Sequence, residues 1–265
     1  MNRPARERWT RLAVTAAVLA VLAVFVTHAP GYPYDWRHVW LETQTPWKLL
    51  HGLVTTAWVS LAAMALALGF GFAGGLARLS RRPAWHQLGT IYVEVVRGSP
   101  LMVLLAVAYF CVAPAFRNLL ESLGAPAGLS SLFDSGVFVG VLTLALFAGA
   151  YVTEIVRAAV ESVDRGQTEA ALSRGMSRGQ VFRLVLLPQA LRRMIPPLTG
   201  EFVSLIKDSS LLGAITVLEL AKAGEQERSA THRSFEILIP VALMYLVLTF
   251  SLSRLARWLE LRQRA

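Results

Sequence analysis

Gly166–Pro188, GQTEAALSRGMSRGQVFRLVLLP, is a polar, arginine-bearing stretch set between two strongly apolar ones. Around it the chain is 55% hydrophobic and only 16% charged, with a mean hydropathy of +0.50. Soluble domains lie nearer a quarter charged. The apolar residues also come in long blocks, which points to several membrane spans. Strand-length alternation is almost absent, and hydrocarbon cannot satisfy a loose backbone, so the spans must be helices. The expected fold is an all-α membrane protein.

Outward from the polar stretch, six apolar blocks predict six transmembrane helices. The first is Leu12–Thr27, behind Arg3, Arg6, Arg8 and Arg11. It reads either as a retained helix or as a signal peptide with a poor cleavage site at Thr27-His28-Ala29. The others are Val54–Leu76, about Ile91–Phe110, Gly136–Val156, Leu191–Ile206 and Ile237–Leu252. Gly71 and Gly75 in the second block form a small-xxx-small pair, read either as a helix-packing device or as ordinary glycine tolerance in lipid. Pro196-Pro197 is expected to break the fifth block. The sixth block runs on as a basic amphipathic tail to Arg264.

Basic residues orient the spans. With the N-terminus inside, 18 of the 26 arginines and lysines fall on cytoplasmic segments. The bias implies that both ends are cytoplasmic, and it places Gly166–Pro188 in the cytoplasm. The net charge of +9 is explained by this clustering, so no nucleic-acid partner is expected. Other chemistries are missing too. No lysine follows a glycine, so there is no P-loop. The five histidines form no i,i+3 or i,i+4 pair, the single Cys111 supports no cysteine metal cluster, and no G-x-S-x-G elbow occurs. Neither a catalytic nor a metal site is expected. Any work the protein does must draw on an ion gradient or a partner ATPase.

Within the polar stretch, Asp164 and Gln167 have capping-box spacing, which starts a helix near Arg165. Glu169-Ala170-Ala171-Leu172 continues it. Gly175 fits the left-handed position just past a helix end. Ser177 and Gln180 form a second capping pair, starting a helix that Pro188 is expected to interrupt. The block therefore reads as two short helices around a glycine corner, with Ala170 and Ala171 offering a flat docking surface. A solvated interhelical loop is the alternative, but structureless loops of this length are uncommon.

This pattern resembles the EAA loop of ABC-transporter permease subunits: Glu-Ala-Ala, then Gly, then Leu-Pro. Further elements are similar to the polar amino-acid branch of that family, the histidine/glutamine type. Glu94 with Arg97-Gly98-Ser99-Pro100-Leu101 resembles its E..RG.PL signature. Ala150-Tyr151 with Glu154-Ile155 and Arg157 resembles AY..EI.R. Leu187–Arg192, Pro196-Pro197-Leu198, Leu205–Leu211 and Glu219-Leu220 resemble its LPQALR, PPL, LLKDTSL and EL elements. The resemblance covers roughly Gly52 to Leu259. Gly200 stands where the branch usually has Asn, so a substrate contact there is not carried over.

The resemblance implies a five-helix type I importer core plus one N-terminal helix, in the bacterial inner membrane. Its expected division is an N-terminal arm, extra helix and periplasmic segment over 1–48, a transmembrane domain over 49–259 with its coupling loop at 164–188, and a cytoplasmic tail over 260–265. It implies pairing with a second permease subunit, docking of two ATPase subunits that bind ATP and Mg, and substrate delivery by a periplasmic binding protein. The chain itself is then neither an enzyme nor a cofactor binder. Glu169, Ala170, Ala171, Gly175 and Pro188 are the implied ATPase-coupling residues. Polar residues at membrane depth add a candidate substrate path or gate: Glu201, Ser204, Lys207, Asp208 and Ser209. A buried Lys207–Asp208 network that only shapes a gate is the other reading. Glu94 with Arg97, and Glu154 with Arg157, are read as i,i+3 ion pairs at the membrane edge or, less simply, as path residues. The implied cargo is a polar amino acid. Opines, ectoine-like solutes or sulfur compounds are alternatives, as is a gradient-driven secondary transporter, although no inverted repeat is evident.

Overall fold

The computed structural model describes residues 32 and 34–264, with side chains described through 255. Every regular element among them is helical. The long elements are α1 (Thr45–Arg78), α2 (Pro83–Arg97), α3 (Leu101–Ser122) and α4 (Gly136–Glu161). They are followed by α5 (Arg165–Ser173), α6 (residues 178–208), α7 (Leu220–Thr231) and α8 (Ser234–Arg264). The first apolar block, Leu12–Thr27, lies outside the described residues.

Four described helices are long and apolar enough to span a bilayer: α1, α3, α4 and residues Ser234–Leu255 of α8. The block expected over Ile91–Phe110 is not one helix. The chain breaks at Gly98-Ser99-Pro100, because Pro100 has no N–H to donate and pushes its predecessor out of helical geometry. The apolar span is Leu101–Ser122 instead. Leu191–Ile206 lies inside α6, which is too polar on one face to rank with the four.

The prolines of α6 also depart from expectation. Pro196 and Pro197 sit inside a continuing helix and Pro188 does not end one. Two residues before Pro188 a π-helical turn, Val181–Leu186, closes. A second π-helical turn, Ala108–Val112, precedes Pro114 in α3 at the same spacing. The wider turn makes room for a ring that would otherwise strike the carbonyl one turn back.

Helices α1 and α4 pack along most of their length. A Cβ at Gly71 would overlap the Val152 side chain, and one at Gly75 would overlap Val156. The small-xxx-small pair is therefore a packing device, and the close approach lets the Thr153 hydroxyl, bonded to Gly149 O at 2.8 Å, also face Gly71 O at 3.4 Å. Replacing both glycines by valine is expected to cost about 1–3 kcal/mol per site by overpacking. Thermal unfolding of the solubilised protein checks this. Gly69→Ala, at a glycine with open space around it, is the neutral control.

The main core joins α1, α3, α4 and α6 through Ala63, Leu105, Leu144 and Leu205. A second cluster holds Val152, Val156, Ala190 and Met194 where α4 and α6 lead into the polar block. A third lies at the opposite end of α1, with Leu49, Leu220, Ala223 and Ile237. The division expected at 48/49 falls inside α1.

Candidate functional site

The polar block folds as two helices around a glycine corner. The Asp164 carboxylate accepts the Gly166 N–H at 2.6 Å, and α5 begins at Arg165. At its other end, Gly175 has φ +83, Met176 N–H reaches Ala171 O at 3.2 Å and Gly175 N–H reaches Leu172 O at 2.9 Å. These two bonds are a Schellman motif, and its left-handed residue is the glycine. Ser177 then caps α6 with a full reciprocal box: Gln180 N–H donates to its hydroxyl, and Ser177 N–H donates to Gln180 Oε1 at 2.8 Å. Glu169, Ala170, Gly175 and Pro188 are exposed, whereas Ala171 is 7% exposed and turned into the chain. The exposed part of the EAA triplet is thus Glu169 and Ala170, while Ala171 helps hold α5 against the rest of the block.

The block is tied firmly to the spans on either side of it. Glu154 on α4 lies between two guanidiniums: Arg78 at the end of α1, and Arg157 at 2.8 Å. Arg157 also holds Glu161 at 2.5 Å. From α6, Arg193 donates to the backbone oxygen of Ser162 and, at 2.8 Å, to its hydroxyl. Ser162 caps α4 immediately before the block. A displacement of α5 therefore reaches α4 through the chain and α6 through Arg193. Spacing alone gives the Arg157–Glu154 pair. It could not give Arg78–Glu154 or Arg193–Ser162, because those partners are brought together only by the fold.

The expected Glu94–Arg97 pair is replaced. The Arg97 guanidinium sits over the Tyr151 ring, 4.7 Å from its centroid. With α2 ended at Arg97 by the Gly98–Pro100 break, the side chain turns toward α4 rather than back along its own helix. Arg97 and Glu154 also line a cleft of about 480 Å³ between α4 and α6, closed on one side by Pro197.

The five path candidates separate. Glu201, Ser204 and Asp208 recur at i, i+3 and i+7, so they share one face of α6, and all three are partly buried. Lys207 is exposed on another side. Ser209 is fully buried, and its hydroxyl is spent on Ile206 O at 2.7 Å.

Comparison with known proteins agrees with this architecture. A family model described as "Binding-protein-dependent transport system inner membrane component" matches residues 65–265. The glutamine transport system permease protein GlnP of Escherichia coli (strain K12) is 35% identical over 231 residues, covering 87% of this chain and 98% of that protein. The nopaline transport system permease protein NocM of Agrobacterium fabrum (strain C58 / ATCC 33970) is 36% identical over 224 residues, or 82% of this chain and 90% of that one. Among solved structures, one described as an amino acid ABC transporter with histidines superposes with a TM-score of 0.73 at 31% identity, covering 87% of this chain and all 100% of its own. An inward-facing MetNI methionine ABC transporter shares the fold, with a TM-score of 0.61 at 20% identity over 80% of this chain and 95% of that one. With the family matched over residues 65–265 and a relative 35% identical along 98% of its own length, the chain belongs to the inner membrane components of binding-protein-dependent transport systems.

Proposed function

We propose that this chain is the membrane-spanning subunit of an ATP-driven importer for polar amino acids. The observation that carries the coupling half of this reading is the exposed, doubly capped block at 164–188, set between α4 and α6. A segment so well specified, with Glu169 and Ala170 exposed on its first helix, suits a partner's cleft. The partner is a separate ATPase that binds ATP and Mg, and Glu169, Ala170, Gly175 and Pro188 form its contact, with Ala171 behind them. Both termini lie in the cytoplasm, on the same side as the block. A second permease subunit completes the path, and a periplasmic binding protein supplies cargo.

The amino-acid half is supported by relatives whose names specify glutamine and by a neighbour described as an amino acid transporter. On α6, the face of Glu201, Ser204 and Asp208 offers carboxylates and a hydroxyl at membrane depth, where such groups mark transport paths. An opine reading has one observation in its favour, the nopaline permease at 36% identity.

A thermal-shift screen of the cognate binding protein separates these readings. A ligand at 100 times its Kd stabilises by about 2.7 kcal/mol. A clear upward shift with glutamine, histidine or a similar polar amino acid is expected. Shifts only with opines, or only with solutes that are not amino acids, would overturn the substrate assignment.

A further inference from the structure

Helix α2 has three distinct faces. Gly89 and Val93 are buried, with Gly89 so close to the end of α1 that a Cβ there would strike the Arg78 side chain. On the same side, the Tyr92 hydroxyl donates to Leu146 O of α4 at 2.6 Å. Gln87, Thr90, Glu94 and Arg97 recur at spacings of three and four, which makes a polar stripe beside the buried face. Ala84, Leu88, Ile91 and Val95 recur in the same way, about a third of a turn further round. Leu88, Ile91 and Val95 are each more than half exposed.

The turn ahead of α2 carries two exposed arginines, Arg81 and Arg82. Its backbone is held from both sides: Ser80 Oγ accepts the Arg82 N–H at 3.2 Å, and the His86 ring donates to Arg78 O at 2.7 Å. Among the described residues neither guanidinium has an ion-pair partner, whereas Arg78 and Arg157 are both committed to Glu154. The exposed Trp85 follows within one turn. Indole rings collect at the level of lipid headgroups. Two guanidiniums, an indole and an apolar stripe thus succeed one another along α2, in the order of a phospholipid's phosphate, glycerol and acyl chains.

We propose that Arg81 and Arg82 hold the phosphate of an anionic phospholipid whose acyl chains lie along Leu88, Ile91 and Val95. Charge complementarity selects this occupant. A guanidinium meets a phosphate through two parallel N–H bonds. A zwitterionic lipid brings a cationic headgroup that the same arginines repel. A second copy of this chain fits poorly. In a membrane two copies pair about an axis along the normal, which sets equal heights against each other, so four arginines would meet. The bound lipid steadies α2, whose far end carries Arg97 into the cleft beside Pro197.

Lipid retention by the full chain tests this without ATPase or cargo, so its failure is distinct from failure of the importer reading. Native mass spectrometry of the purified protein, titrated with phosphatidylglycerol or phosphatidylcholine, gives the comparison. One arginine near an anionic lipid surface is worth about fivefold in affinity, so Arg81→Gln/Arg82→Gln is expected to weaken phosphatidylglycerol binding about 25-fold. Phosphatidylcholine binding should barely change, and salt should erode the wild-type preference. Arg174→Gln/Arg178→Gln removes the same charge from exposed positions of the polar block and should leave the preference intact. A bimane on Leu88→Cys or Val95→Cys, in a Cys111→Ser background, should be quenched by brominated phosphatidylglycerol in nanodiscs, and one on Gln87→Cys far less. Equal retention of the two lipids, an equal loss in the control pair, or disulfide-linked dimers of Leu88→Cys in native membranes would each overturn the proposal.

Discussion

In reconstituted transporter, Glu169→Lys is expected to cut ATP-driven uptake on the order of 100-fold while the protein stays folded. Glu169 is exposed, and surface substitutions usually change stability by no more than about 0.5 kcal/mol. The effect falls on docking. A reversed charge in a complementary contact costs several kcal/mol, and each 1.4 kcal/mol is about tenfold. Gly175→Asp acts at the same place by another route. The corner needs φ +83, and a side chain there costs about 1–2 kcal/mol for most residues and less for Asp. It also brings a charge beside α5 and tilts the helix that carries Glu169. Uptake and phosphate release, measured together in liposomes, distinguish coupling from folding. Hydrolysis without uptake is the expected pattern for both variants. Normal uptake by both would sink the docking assignment.

Among single substitutions, Glu154→Ala is expected to have the largest effect on stability, about 3–5 kcal/mol. The carboxylate is 21% exposed and lies between Arg78 and Arg157. Its removal takes the carboxylate from the partly buried Arg78 and leaves Arg157 with Glu161 alone, where α1 meets α4. Glu154→Gln keeps the shape and one acceptor, and should lose less. Thermal unfolding of the solubilised protein gives the comparison. If Glu154→Ala melts with the wild-type chain, the network carries no stability, and the route from α5 to α1 loses its main strut.

Local chemistry was the legible part of this sequence. Asp164, Gly175 and the Ser177–Gln180 pair each act over a few residues, so the helix starts and the corner are found where spacing puts them, although Asp164 caps through the Gly166 N–H and not through the expected Gln167. The blocks that became α1, α4 and α8 were also plain, because a long apolar run in lipid has one solution. Prolines misled the reading of α6. Pro188 and Pro196-Pro197 suggest breaks, yet a π-helical turn relieves the first and the helix continues through the second. Pro100 does break the expected span, because its missing N–H and its ring separate the helix ending at Arg97 from the one starting at Leu101. The candidate site was half legible. Glu201, Ser204 and Asp208 share a face by simple periodicity, but Ser209 is spent on its own backbone, and Arg97 turns to Tyr151 rather than to Glu94. Arg78–Glu154 and Arg193–Ser162 join residues 76 and 31 positions apart, and no local pattern announces such pairs.

The most direct test of an ATP-driven permease is uptake of labelled amino acid into liposomes by this chain, with and without its ATPase and binding protein. Uptake is expected only from the complete set, only with ATP inside the compartment where the ATPase sits, and not from the chain alone under any ion gradient. Uptake by the chain alone, driven by a proton or sodium gradient, would contradict it.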